Sequence, residues 1–429
     1  MTEASTVLLV TLFALLFSSA PIAVALGLTS FAYFFYFTTI PLTQVPERLF
    51  NSLNTFPLMA IPFFVLAASI MSRGGISRRI IAACNAVVGQ FRGGLAMTGV
   101  LACVFFAAIS GSSPATVVAV GTLIIPALIA NGYPRRFSTG LIATSGSLGI
   151  LIPPSIPLIV YGISTEESIG DLFVAGVLPG LVAGAMLLAV VVGISYRRGY
   201  GSGDEAIAMT TAEKLRALRD AVLSLALPAL VLGGIYGGVF TPTEAAAMAV
   251  FYAVIVSVFV YRELDLRDLG GILLSSARTS AMIMFIIANG ILFSFVLTSE
   301  QIPRDITETL LGYELDKWSF LLLVNLLLLV AGCFMETSSA ILIIAPILLP
   351  LAVELGVNPI HLGIIMVMNL EIGMVTPPLG LNLFVASGMS GMSVLQVARA
   401  AIPTALVLLA ALFLVTYVPA ISLALLGGG

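Results

Sequence analysis

The chain has 429 residues, 59% of them hydrophobic and only 9% charged, with a mean hydropathy of +1.14 and a net charge of −3. A soluble domain carries about 25% charge, so this composition excludes a soluble globular protein, identifies a polytopic integral membrane protein, and gives no footing for nucleic acid. Cys84, Cys103 and Cys333 are scattered and His361 is the lone histidine; structural zinc or iron–sulfur chemistry is not expected.

Apolar runs of roughly 20 residues recur from end to end, enough for about ten to twelve crossings or half-crossings. The first, Thr6 to Phe37, reads as a tilted or broken membrane helix bent near Pro21; it is too long for a cleavable signal peptide and has no basic segment before it. Residues 38–55 read as a polar link, and a membrane helix opens at Phe56 and runs to Met71. Over 73–93, Arg73, Arg78, Arg79 and Arg92 alternate with an apolar stripe, which predicts an amphipathic helix at the membrane surface.

Positive charge sets the expected orientation. Basic clusters at 73–92, 135–136, 197–221 and 262–268 read as cytoplasmic, and the turns at 166–171 and 241–244 as external. Arg92 and Arg135 then share a side, so 95–134 goes in and returns, with Ser110–Pro114 at its tip. A crossing at about 270–298 leads to an acidic link, 299–317, with Glu300, Asp305, Glu308, Glu314 and Asp316. A second hairpin, about 319–356, with its tip near Glu336–Ser339, and a broken helix, 360–388, follow, and a last apolar run ends at Leu426. His361 reads as a loop or interfacial residue.

Two stretches break membrane helices where hydrocarbon tolerates breaks only around an ion, a substrate or a cavity. One holds Ser-Gly-Ser-Ser-Pro at 110–114 and then Gly149 to Pro157; the other spans 336–388. Their punctuation coincides at an offset of 224 residues: Pro126 with Pro350, Gly132 with Gly356, Gly149 with Gly373, and Pro153–Pro154 with Pro377–Pro378. Paired interrupted segments of opposite topology are the sequence mark of an inverted-repeat transporter.

Hard cations such as sodium take hydroxyl and carbonyl oxygens. Ser110, Ser112 and Ser113 facing Gly149–Pro154 predict one oxygen cage. Gly332, Thr337 and the Gly373–Leu379 turn, with Thr376, predict another. Half-helix N-termini beginning at Pro114 and near Ser339 suit an anionic substrate, and Asn382 is a polar candidate at its cavity. Glu336 and Glu371 stand where the other copy has Ser112 and Ser147; an ionisable residue at depth is a functional candidate, and Glu336 could ligate an ion, cap a half-helix or carry a proton. No GxSxG, HExxH or Walker A run is present, so no enzyme is expected and transport is ion-driven or passive. A channel or an intramembrane scaffold is the reading from another class.

The stretches FPLMAIPFFVLA, GGLAMTGVLACVFFAAISGSSPATVVAVG, ILIPPSIPLIVYG, YGGVFTPTEAAAMAV and MVTPPLGLNLFV resemble the large membrane subunit of tripartite ATP-independent periplasmic (TRAP) transporters, DctM-like members of the ion-transporter superfamily. The resemblance implies an all-α polytopic elevator-type fold in a bacterial or archaeal inner membrane. It divides the chain into scaffold (1–93), first hairpin and broken helix of the transport domain (94–165), scaffold helices with cytoplasmic link 197–221 (166–318), second hairpin and broken helix (319–390) and C-terminal helix (391–429). It implies sodium-coupled uptake of an organic acid, such as a C4-dicarboxylate, a sialic acid or a keto acid, and no organic cofactor. Sodium site 1 would comprise Ser110, Ser112, Ser113, Gly149, Ile152 and Pro154, and site 2 Gly332, Thr337, Gly373, Thr376 and Leu379, several through carbonyls. Partners would be a small four-helix membrane subunit, expected here as a separate chain, and a periplasmic substrate-binding protein. A stand-alone ion-coupled anion carrier of the same superfamily is the runner-up.

Overall fold

A computed structural model describes residues 3–18, 20–38, 41–200, 209–311 and 316–426; Glu314 of the acidic link, 201–208 of the basic link and 427–429 lie outside them. Described residues fold into helices and turns without a strand, and nine of their helices are long and apolar enough to cross a membrane. In chain order the helices are α1 (Glu3–Phe17), α2 (Ile22–Tyr36), α3 (Gln44–Leu53), α4 (Ala60–Arg73), α5 (Ile76–Val88), α6 (Gly94–Ser110), α7 (Ser113–Ala130), α8 (Arg135–Ser145), α9 (Ile156–Thr165) and α10 (Ile169–Arg198). Then come α11 (Thr211–Tyr236), α12 (Pro242–Val254), α13 (Leu269–Ser299), α14 (Ile302–Leu311), α15 (Lys317–Phe334), α16 (Thr337–Glu354), α17 (Pro359–Gly373), α18 (Leu381–Ser390), α19 (Val394–Tyr417) and α20 (Ala420–Leu423).

The repeat is longer than its proline and glycine marks. Shifting by 224 residues carries α7 onto α16 end to end and the start of α8 onto that of α17. The same shift brings α3–α4 onto α13, α5 onto α14, α6 onto α15, α9 onto α18 and α10 onto α19, each to within a few residues. Gly132 and Gly356 both take the left-handed conformation that ends α7 and α16, and both Pro–Pro bonds are cis. Helices α1, α2, α11 and α12 stand outside the repeat, and α20 falls on the end of α10.

Each hairpin, α6–α7 or α15–α16, lies on the break of its own repeat, while its second helix packs on the far half-helix of the other: α7 on α18, and α16 on α9. The broken helices are therefore the centre of the molecule, with every residue of 138–162 and 361–375 buried. Around them, α19 packs on α8 and α10 on α6 and α19; α4 packs on α12 and α13, and α5 on α11.

The helix over 73–93 is α5, and it is amphipathic as expected: Ile76, Ile80, Ala83, Cys84 and Val88 are buried at helical spacing while Arg78 is exposed. Thr6–Phe37 is a broken helix, as read from its sequence, parted at Pro21 into α1 and α2. Other expectations change. The polar link 38–55 holds α3, and the acidic link holds α14, both strongly amphipathic. The basic part of the 197–221 link is helical, because Thr210 and Glu213 form a capping box that starts α11. His361 is buried, with Nδ1 2.7 Å from the Ser422 hydroxyl and Nε2 3.2 Å from the Thr416 carbonyl, so it pins the C-terminal segment to α17.

The α8–α19 contact depends on Gly140, where a Cβ would fall 2.4 Å from the Ala400 carbonyl carbon and oxygen. Gly140→Ala should therefore cost about 1–3 kcal/mol through overpacking and lower the apparent melting temperature in detergent by several degrees. Gly388→Ala, with nothing within 4 Å, should leave it unchanged.

Candidate functional site

The first hairpin turns in two residues. Gly111 adopts φ +57°, which a Cβ would disfavour, and extended Ser112 caps α7 without a side-chain bond. The Ser110 hydroxyl lies 2.7 Å from that of Thr116, and both reach the Ser112 carbonyl, at 3.1 and 2.9 Å. Gly149 presses on this knot: its Cβ would stand 2.7 Å from Thr116 Oγ1 and 3.4 Å from the Ser112 carbonyl oxygen. Pro154 closes the other side, its carbonyl oxygen 2.9 Å from where a Cβ on Gly111 would be, and the Ile156 N–H donates to the Gly111 carbonyl at 3.4 Å. Ser110, Ser112, Gly149 and Pro154 thus converge. Ile152 turns its side chain into an apolar cluster with Ala107 and Ala108. Thr116, which the sequence did not single out, completes the knot; its one signal is its place a helical turn after Ser112.

In the second hairpin Gly332 and Gly373 meet backbone to backbone, a Cβ on Gly373 falling 2.4 Å from the Gly332 carbonyl carbon. The Leu379 and Gly380 N–H groups donate to the Cys333 carbonyl at 3.3 and 3.4 Å. Thr376 donates to its own helix at Ile372 (2.8 Å) and faces an apolar cleft of α15 and α19 residues. Both α7 and α16 begin slightly earlier than expected, at Ser113 and Thr337. Of the roles weighed for Glu336, it fills that of cap: its carboxylate accepts from the Ser339 N–H (3.1 Å) and hydroxyl (3.2 Å) and from Ser338 (3.0 Å).

Ser113 and Thr337 point instead to where the repeats meet. The Asn382 amide donates to Ser113, at 2.5 Å, and to Ser147, at 3.1 Å. Thr337 donates to Glu371 at 2.8 Å, and Ser113 faces the same carboxyl. All five side chains are buried.

A cavity of about 380 Å³ opens at the first tip, between it and α4 and α13. Its polar lining is Ser110 and Ser112 from the tip, Ser69, Ser72 and Arg73 from α4, and Ser275 and Thr279 from α13. Val65, Ala68, Ser69 and Ser72 recur at helical spacing, so one face of α4 lines it. Ser339 and Asn382, expected at a substrate cavity, are fully buried away from it, and Pro114 is only its neighbour. Arg73, read from the sequence as a mark of topology, is the charged residue of its lining.

Residues 9–421 match the family described as tripartite ATP-independent periplasmic transporter, DctM component. The chain belongs to the DctM family. It is a multi-pass inner-membrane permease subunit of a transporter and not an enzyme. It is 47% identical to the C4-dicarboxylate TRAP transporter large permease protein DctM of Rhodobacter capsulatus, covering 96% of this chain and 97% of that one. It is 49% identical to the protein of the same name from Pseudomonas aeruginosa, covering 94% and 93%. The permease is also 44% identical to the isethionate TRAP transporter permease protein DctMQ of Oleidesulfovibrio alaskensis over 94% of this chain, but spans only 63% of that protein. Its fold is similar to that of the Alcanivorax borkumensis YdaH transporter, with a TM-score of 0.62, 15% identity and 91% of each chain covered.

If the Thr116 hydroxyl ties the first tip, Thr116→Val should cost about 1–2 kcal/mol and depress transport. Thr122→Val, which removes an exposed hydroxyl bonded only within α7, should change neither melting temperature nor uptake.

Proposed function

We propose that this permease imports a C4-dicarboxylate or a related organic acid by symport with sodium, receiving it from a periplasmic binding protein. The observation that carries the reading is the cavity at the first hairpin tip, where Arg73 stands among serine and threonine hydroxyls. A guanidinium offers a carboxylate paired, charge-assisted hydrogen bonds. The N-terminus of α7 adds its dipole, and Ser112, its uncapped N-cap residue, lines the cavity. The α16 N-terminus is less available, since Glu336 already occupies it.

Sodium would bind at the two breaks: site 1 at Ser110, Ser112, Ser113, Gly149, Ile152 and Pro154, and site 2 at Gly332, Thr337, Gly373, Thr376 and Leu379. Cations there would hold each tip against its break and shape the cavity beside the first. In an elevator cycle the hairpins and broken helices, 94–165 and 319–390, move as one body against a scaffold. Because α10 and α19 pack directly on those broken helices, we assign them to the moving body rather than to the scaffold. The amphipathic α5 and α14, each standing just before a hairpin, are then the arms. Length left unmatched in the DctMQ relative supports a small membrane subunit as partner.

Proteoliposomes holding this chain with its small subunit and cognate binding protein should take up labelled succinate only under an inward sodium gradient. Arg73→Ala should reduce uptake at least about tenfold through the lost ion pair, and Arg73→Lys less. Uptake without sodium overturns the coupling; uptake without the binding protein favours the stand-alone carrier.

A further inference from the structure

We propose that Glu371 is the shared counter-charge of both cation sites and makes them bind as one cooperative unit. The inference rests on the sodium reading above. Every ligand assigned to the two cages is a neutral hydroxyl or carbonyl oxygen, yet two cations in a water-poor interior need a negative charge within reach. Glu371, 1% exposed in the last turn of α17, is placed to supply it. Its Oε1 accepts from Thr337, a member of the second cage, at 2.8 Å, and its carboxyl faces Ser113, a member of the first. Its Oε2 has no hydrogen-bond partner. The Asn382 Oδ1, in the same cluster, has none either, although its amide holds Ser113 and Ser147. Two enclosed, unpartnered oxygens make this the most cation-attracting point between the tips. The other carboxylate nearby, Glu336, is engaged in capping α16.

The placement is one-sided. At the offset of 224, Glu371 corresponds to Ser147 and Asn382 to Leu158, so the carboxyl appears in one repeat only, bonded to a member of one cage and facing a member of the other. Binding a cation in either cage orders the Ser113–Glu371–Thr337 chain, and the other cage then forms around a carboxylate already in place.

The test is sodium-dependent thermal stabilisation of the purified permease without substrate. The unmodified chain should respond sigmoidally, with a Hill coefficient above one. Glu371→Gln should raise the half-saturating sodium concentration at least about tenfold and bring the Hill coefficient to one. Glu371→Asp, which withdraws the charge by one methylene, should fall between the two. A folded Glu371→Gln variant with the unmodified sodium profile overturns the proposal; if that variant does not fold, an unmodified profile for Glu371→Asp overturns it. No sodium response from the unmodified chain would instead sink the sodium reading itself.

Discussion

Peptide groups cannot be left bare in hydrocarbon, and this fold is arranged around that constraint. Two helices stop in mid-protein, each freeing backbone N–H and C=O groups. Each break is therefore covered on all sides, and the covering hairpin supplies what its backbone lacks: the Gly111 carbonyl for the Ile156 N–H, and the Cys333 carbonyl for those of Leu379 and Gly380. Such bonds need main chains almost in contact. Gly149 against the Ser112 carbonyl, and Gly373 against Gly332, make that approach possible. The same closeness concentrates leftover carbonyls and hydroxyls at two points, the kind of oxygen set that the proposed sodium sites require.

Inversion of the repeat decides where the covering comes from. A hairpin covers its own break, but its second helix lies on the far half-helix of the opposite repeat, α7 on α18 and α16 on α9. Neither half can bury its broken helix alone. Tyr161 of α9 reinforces the interlock: its hydroxyl donates to the Pro359 carbonyl at 2.7 Å, and its ring fills the space above Gly363. The core should therefore move as a block, with any flexing left to the segments that lead into it.

What could be read in the sequence follows from the same physics. Proline and glycine mark backbone geometry directly, so the hairpins and breaks fell within a residue or two of their places. Helices α3 and α14 were hidden because short amphipathic helices carry the charges and prolines of a loop, and only packing reveals which face is buried. Around Ser112 and Ser113, small changes of backbone direction decide whether a hydroxyl serves its own break or the opposite repeat, and spacing does not report them. Arg73 resembled the other basic residues of its stretch; what distinguishes it is the serine-bearing face of α4 below it and a crossing 200 residues later. His361 finds its partners more than fifty residues away, beyond the reach of local pattern.

Symmetry itself poses the last problem. Two identical halves would meet with two equal charges or with none: two buried carboxylates side by side repel, and none would leave cations at the proposed sites without compensation. The two copies differ at this junction, as they do elsewhere. Ser147 stands where the other half has Glu371, and Leu158 where it has Asn382. Ser147 then serves as the neutral partner of Asn382, 3.1 Å from its amide. Ser112 and Glu336 divide in the same way: the carboxylate caps its helix, while the serine leaves the N-terminus of α7 open toward the cavity. Duplication supplies two breaks, and polar substitutions such as these make them unequal, so that one tip faces the cavity and a single buried carboxyl stands between the pair.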